Sequence, residues 1–359
     1  MPTKLAILHF NILEKYPPAM NLIRDLERSE KELKILVIST INNTSYFNFS
    51  TSLGSVLRLG ILNQSSVNRY ISYLSFNVGA LFWLIYFKPQ EILVFETISV
   101  WPAYVYKKLN KHVNIHIHHH EYMTIEEIAY CSLYVRFLHR KEKNLFNLAT
   151  FSHTNDDRKA LYLKDHPELD EFTVSAYPNL PPQIWWNEYG SMKRVRVGPT
   201  IKLVYVGVLD LETMYVKEVV DWVLRNPDLL ELTFISHQMN LETLSFVESN
   251  LGDQIKLIKP INYEDLPKEL IRYDIGLVLY KGHMLNYVYN VPNKVFEYLY
   301  CGLKVLGDTC LISASKINHP DILLICFKNG FNMINIIEFN QRHFQFECLI
   351  NNSLSQRYV

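Results

Sequence analysis

Lys294 and Glu297 lie three residues apart in the run Asn290-Val291-Pro292-Asn293-Lys294-Val295-Phe296-Glu297-Tyr298-Leu299-Tyr300-Cys301-Gly302. The spacing predicts a short helix that places Lys294, Glu297, Tyr298 and Cys301 on one face. Pro292 suits the first helical position, where its missing N–H costs nothing. Gly302 suits the left-handed residue that ends a helix. A helix N-terminus is an anion site, and Lys294 adds an ammonium beside it. A carboxylate one turn further in can accept two hydrogen bonds from a vicinal diol. Phosphate at the helix end and diol at the glutamate outline a ribonucleoside diphosphate.

A second group is Asn114-Ile115-His116-Ile117-His118-His119-His120-Glu121. On a strand, His116, His118 and His120 fall on one face. Successive side chains on that face stand about 6–7 Å apart, which suits a single zinc poorly, so no metal is expected. His120 and Glu121 lie just past the strand's carboxyl end. There they could orient a hydroxyl or take its proton as a general base.

Apolar strand-like runs alternate with helical patterns along the chain. The first half offers Leu5–Phe10, Leu33–Ser39, Ile92–Glu96, Val113–His118, Ala149–Ser152 and Phe172–Ser175. The second offers Lys202–Val206, Leu232–Ile235, Ile255–Ile258, Ile275–Leu279, Lys304–Leu306 and Ile322–Cys326. Continuous apolar runs fit parallel strands covered on both faces, and the alternation fits doubly wound sheets. Helical candidates include Met20–Arg28, Tyr134–Phe146, Val216–Leu224 and Tyr263–Arg272. The link Tyr177-Pro178-Asn179-Leu180-Pro181-Pro182 suggests a boundary. The expected division is an acceptor-side unit over 1–180 and a donor unit over 181–337. A last helix over 338–359, around Phe344–Leu354, would cross back. The fold class is α/β: two Rossmann-like domains facing a central cleft, where ligands meet strand carboxyl ends.

The Pro292–Gly302 run resembles the donor motif of glycosyltransferase group 1, the family 4 of retaining sugar transferases with the GT-B fold. The matching branch reads roughly P-N-K-x-F-E-Y-x-x-x-G-x-x-V. The resemblance implies that Glu297 holds the donor ribose. It implies donor contacts from Asn290, Pro292, Asn293 and Lys294, and from Gly207 in the Tyr205-Val206-Gly207 turn. Many members carry a glutamate eight positions before Glu297, an arginine after the glycine turn and a lysine further on. Here those places hold Tyr289, Val208 and, loosely, Lys217. Tyr273-Asp274-Ile275-Gly276-Leu277 resembles the strand leading into the motif, and His120-Glu121 the His-acid pair of the first domain. The resemblance covers the second half well and the first by architecture.

The implied activity is transfer of a sugar from a nucleoside diphosphate-sugar to a hydroxyl on a glycan or lipid-linked glycan, in polysaccharide assembly. The nucleotide sugar is a co-substrate and no further cofactor is implied. A sugar-nucleotide epimerase and a GT-B-like binding subunit are the alternatives. No Asp-x-Asp occurs, so leaving-group charge falls on Lys294, Lys217 and helix dipoles.

The chain has 359 residues, 48% of them hydrophobic, with 36 basic and 36 acidic side chains. That balance offers no field for nucleic acid. Five scattered cysteines without a CxxC pair fit a reduced compartment. The N-terminus reads as a first strand rather than a signal peptide, so a cytoplasmic protein is expected. The apolar run Tyr70–Phe87 reads as a buried or half-buried helix. Peripheral contact at the inner face of a membrane is its other reading.

Overall fold

The computed structural model describes residues 2–29, 32–41, 48–61, 66–190, 192, 200–236, 238–331 and 333–342. Contacts divide the chain between Asn179 and Leu180 into two units. The first is built on a seven-stranded sheet. Its strands are β1 Thr3–His9, β2 Leu33–Ser39, β3 Gly54–Arg58, β4 Glu91–Phe95, β5 Asn114–His119, β6 Thr150–His153 and β7 Val174–Ala176, in the order β3-β2-β1-β4-β5-β6-β7. Its helices are α1 Pro17–Arg28, α2 Ser66–Phe87, α3 Val100–Leu109, α4 Ile125–Tyr130, α5 Leu133–Lys143 and α6 Asp156–Asp165.

The second unit has six strands: β8 Ile201–Val206, β9 Leu230–Ile235, β10 Ile255–Ile258, β11 Ile275–Val278, β12 Lys304–Asp308 and β13 Ile322–Ile325, in the order β10-β9-β8-β11-β12-β13. Its helices are α7 Gln183–Trp185, α8 Val216–Leu224, α9 Leu241–Ser249, α10 Leu266–Leu270, α11 Leu285–Val288, α12 Asn293–Tyr300, α13 Ile312–Ser315 and α14 Met333–Gln341. The ladders between these strands are parallel in both sheets. This is the two-unit Rossmann-like α/β architecture expected.

Every strand read from the sequence is present, within two residues at its ends. β3 was not anticipated. It is an edge strand, and Gly54 and Ser55 are exposed, so it lacks the apolar run that marked the others. The Phe344–Leu354 segment lies outside the described residues; α14 belongs to the second unit.

The interior strands put Leu5, Ile7, Leu8, Leu93 and Ile117 wholly out of solvent in the first unit. Leu203, Phe234, Ile275 and Leu306 do the same in the second. α2 behaves differently on its two faces. Phe76, Ala80 and Leu84 are buried against the sheet, while Ile71, Leu74, Val78, Phe82, Ile85 and Tyr86 are exposed. The half-buried reading therefore holds for one face.

α12 sits directly on β11. A Cβ at Gly276 would lie 2.1 Å from the Tyr298 ring, so glycine there lets the helix approach the strand. Gly302 closes the helix at φ +69. Pro292 is the N-cap, one position earlier than expected, and Asn293 opens the helix. The extended backbone of Pro292 (φ −59, ψ 141) suits a cap as well as its ring suits a first turn.

Candidate active site

In the second unit, β8 is followed by Gly207, whose φ is +125. A Cβ there would also stand 3.4 Å from the Lys294 ammonium. Backbone conformation and close approach both require glycine. Lys294 is buried on the first turn of α12. Its Nζ lies 3.4 Å from the Tyr205 hydroxyl and 3.3 Å from that of Tyr280, and 4.7 and 4.9 Å from the two ring centroids. The Tyr205 hydroxyl donates to the Val208 carbonyl at 2.7 Å, leaving its lone pairs for the ammonium. Burial works against the charge on Lys294, but the oxygens of Tyr205, Tyr280 and Tyr298 outweigh it and raise its pKa. A fixed ammonium with aromatic walls is therefore held beside a glycine turn.

Glu297, one turn on, is also buried. Burial lifts its carboxyl to about 7, against the opposing charge of Lys294 and a hydrogen bond from Tyr263. Tyr298 braces the group: its ring covers Gly276 and its hydroxyl accepts from the Val206 amide at 3.1 Å. Asn293 is half-buried at the helix start, and Asn290 half-buried in the turn before it. The structure thus brings together Gly207, Pro292, Asn293, Lys294 and Glu297. Lys217 is not part of the group: it is exposed on α8, its ammonium 5.9 Å from the Phe246 ring. Val208 is exposed, and Tyr289 ends α11 as its C-cap. The tyrosines 205, 263 and 280 carried no spacing signal, because they arrive from three separate segments.

In the first unit, the carboxyl ends of β1, β4, β5 and β6 gather a second group. His120 is buried, stacked on Phe95 at 5.0 Å and edge-on to Tyr16 at 4.7 Å and His118 at 4.6 Å. Its amide donates to Glu96 Oε1 at 2.7 Å, and its carbonyl accepts from Arg158. Neither ring nitrogen makes a hydrogen bond of normal geometry among the described residues, although the Asn179 side chain is close enough to favour protonation. Burial, then His118 and His9, hold the ring neutral, well below its usual range. Glu121 lies at the surface, yet partial desolvation and then the Glu96 carboxylate raise its pKa.

Glu96 was not singled out by the sequence. Its backbone has φ 63 and ψ 153, a region that is essentially glycine's and costs about 1–3 kcal/mol. A residue held there against strain marks a place where the side chain matters. Its one sequence signal is a carboxylate directly after the apolar run of β4. Glu96 Oε2 is 3.6 Å from His119 Nδ1, and His119 Nε2 is 3.0 Å from Glu142 Oε1. Burial alone would lower His119, but Glu142 and then Glu96 lift it to about 10. Burial would raise Glu142, but His119 holds it down to about 2. The imidazolium is thus fixed between two carboxylates.

This pair predicts a pH signature. His119 is raised above its usual 6.5, so its stabilisation is complete below about 6.5 and lost as pH rises towards 10. Glu142 is depressed below 4.5, so its contribution is present above that value and lost as pH falls through about 2. Melting temperature should fall between pH 6.5 and 10, by about 2–4 °C for each kcal/mol lost. Glu142→Gln should flatten that fall; parallel profiles for the two proteins would dismiss the pair.

Two members of the histidine row are tied up by side-chain hydrogen bonds. His116 reaches Thr150 Oγ1 at 2.9 Å and Ser152 Oγ at 2.7 Å, and His118 reaches the same Ser152 Oγ at 2.7 Å. No group of three His, Cys, Asp or Glu among the described residues could hold a metal ion. Asn155 caps α6 through the Arg158 amide at 2.9 Å.

No family model matches the sequence, and no curated protein matches it. Solved structures do resemble it. A UDP-GlcNAc 2-epimerase from Methanocaldococcus jannaschii aligns over 99% of this chain and 98% of its own, with 13% identity and a TM-score of 0.58. An alpha,alpha-trehalose-phosphate synthase (UDP-forming) from Burkholderia vietnamiensis covers 90% and 86%, with 12% identity and a TM-score of 0.60. A lipopolysaccharide outer core galactosyltransferase covers 94% and 89%, at 12% identity and 0.56. At these identities the likeness is one of fold, and the fold is GT-B: two Rossmann-like units with sheets of seven and six parallel strands.

Proposed function

We propose that the protein is a nucleotide-sugar enzyme, and that it transfers the sugar to a hydroxyl acceptor in glycan assembly. The observation that carries this reading is the buried Lys294 and Glu297 pair on the first turns of α12, beside Gly207. The Lys294 ammonium and the open amides at the helix start would meet the diphosphate. The Glu297 carboxylate would accept from the ribose hydroxyls. In transfer, the bond from the anomeric carbon to the phosphate oxygen breaks and the acceptor oxygen bonds to that carbon. Charge builds on the departing diphosphate, where Lys294 is already in place and no reorganisation is needed. The acceptor proton goes to a base, for which the first unit offers Glu121, with a pKa moved towards neutrality. Structures of similar fold include a UDP-forming synthase and a UDP-GlcNAc 2-epimerase bound to UDP-GlcNAc, which supports a uridine nucleotide as the first donor to try.

One observation favours a second reading. Epimerisation needs paired acids and bases around the sugar, and the first unit gathers such groups: Glu96 accepts from the His120 amide, pairs with His119 at 3.6 Å, and its carboxylate raises the pKa of Glu121. The two readings part in a simple experiment. A panel of nucleotide sugars is screened for thermal stabilisation, since a ligand that binds the folded state raises its melting temperature. The stabilising compound is then incubated without acceptor in heavy water. Deuterium entering the sugar ring, with interconversion of epimers, establishes the epimerase; an inert sugar that is released to added glycan acceptors establishes the transferase. Stabilisation by none of the panel would remove the nucleotide-sugar reading.

Activity is expected to survive EDTA. Lys294 supplies the charge a divalent ion would otherwise bring, and the sequence has no Asp-x-Asp. Complete loss of turnover in chelator, restored by magnesium or manganese, would reassign the phosphate site.

A further inference from the structure

We propose that α2 is a docking face for anionic lipid bilayers, lying in the plane of the membrane surface; this stands independently of the sugar-nucleotide reading. The helix is long and apolar enough to cross a membrane by length and composition, yet 28% of its most apolar stretch is buried. It does not cross, because Phe76, Ala80 and Leu84 are packed against the first sheet. The opposite face is apolar without being covered. Leu74 is 65% exposed, Phe82 63% and Tyr86 73%, with Ile71, Val78 and Ile85 between them. At helical spacing these six fall on one side, and the buried residues on the other. An exposed apolar stripe of this length marks an interaction surface.

Charge decides the occupant. α2 contains no acidic residue. α3, packed beside it, has none either and ends in Lys107 and Lys108. α5, packed on α3, carries Arg136, Arg140 and Lys141, and a Lys143 that is paired with Glu168 at 3.0 Å; its one acid, Glu142, is buried against His119. The layer is knit by aromatic contacts: Tyr73 stacks on Tyr134 at 4.7 Å, and Lys108 and Lys141 both lie over Tyr104. The nearby acids Glu126 and Glu127 sit on α4, where Glu127 is committed to the helix cap. A whole chain of zero formal charge therefore sets basic side chains of α3 and α5 beside this exposed apolar stripe. A second copy would fit this face badly, because a two-fold contact sets the same basic helices against each other. A bilayer with anionic headgroups offers what the face lacks: hydrocarbon for the stripe and negative charge for its rim. Tyr70, half exposed, and Tyr86, 73% exposed, add the amphipathic aromatic rings that favour a membrane surface.

Flotation of the full-length chain with vesicles tests this. We expect binding to phosphatidylcholine vesicles containing about one-third phosphatidylglycerol, weak binding to phosphatidylcholine alone, and loss in high salt. Leu74→Ser with Phe82→Ser should weaken binding by about tenfold or more. Lys108→Gln, Arg140→Gln and Lys141→Gln should each cost about fivefold on the anionic vesicles. Melting temperatures should stay unchanged, since all five side chains lie outside the core; if the apolar variants misfold, the three charge variants decide alone. Binding that ignores lipid charge overturns the proposal. So does a dimer in sedimentation that Phe82→Ser dissociates, with no vesicle binding.

Discussion

Glu297→Gln is expected to weaken binding of the nucleotide sugar by about 10–150-fold, equivalent to roughly 1.5–3 kcal/mol for lost charge-assisted hydrogen bonds. The ligand-free protein should melt no lower than wild type. The two halves of that expectation have one cause. Burial raises the Glu297 carboxyl to about 7. A carboxyl raised on folding takes stability away as pH rises from its ordinary value through its folded one. The neutral amide escapes that cost at pH 8. The same shift gives the affinity a pH profile. The ribose hydroxyls prefer the ionised form, so wild-type affinity should fall as pH drops below about 7, while the variant should show little slope. The pyrophosphate of a nucleotide sugar does not titrate in this range, and Lys294 keeps its charge, so neither blurs the result. Calorimetry across pH 6–8.5 on both proteins suffices. Unchanged affinity in the variant would take the ribose away from Glu297.

The second large effect belongs to the first unit. Glu121→Gln is expected to lower turnover by about 10²–10⁴, the usual range for a lost general base, with nucleotide affinity nearly intact. His120→Ala should reduce turnover less, because burial holds the imidazole neutral far below the pH at which a base works best. Its expected role is to place and polarise, since Glu96 fixes its amide. Glu96→Gln should then affect turnover through position, and adding back a small carboxylic acid such as formate should not rescue it. Formate should partly rescue Glu121→Gly if Glu121 is the base. If the group were merely structural, these variants would lose melting temperature and keep their rate per folded molecule. Normal turnover in a folded Glu121→Gln, His120→Ala double variant would strike the pair from the mechanism. It would point to the segment from Asn11 to Pro18, whose Tyr16 already touches both His9 and His120.

Most of the scaffold was legible because parallel strands buried on both faces must be apolar without interruption. Most of the strands among the described residues declare themselves that way, and the one not anticipated, β3, is an edge whose first residues face solvent. The pairing of Lys294 with Glu297 was legible because both lie on one short helix. What escaped is what depends on three dimensions. Tyr205, Tyr263 and Tyr280 converge on Lys294 and Glu297 from separate loops and strand ends. The strain at Glu96 is a property of φ and ψ, and no local residue pattern encodes it. Lys217 shows a related limit of sequence: an alignment by spacing cannot say which way a helix residue points, and here its ammonium lies 5.9 Å from the Phe246 ring.

The strand order has a consequence for how the chain is made. β1 is central in its sheet, flanked by β2 and β4. Its second neighbour pairs in the register Leu5↔Glu91. During synthesis the first strand therefore waits, one edge bare, while the segment carrying β2, β3 and the whole of α2 leaves the ribosome. The second sheet repeats the plan, with β8 waiting for β11 in the register Leu203↔Ile275. A bare apolar strand is a template for wrong pairing, and contacts this distant in sequence form slowly. In each half of the nascent protein, one later strand covers the edge that the first strand leaves bare, and until then the chain depends on whatever shields that edge.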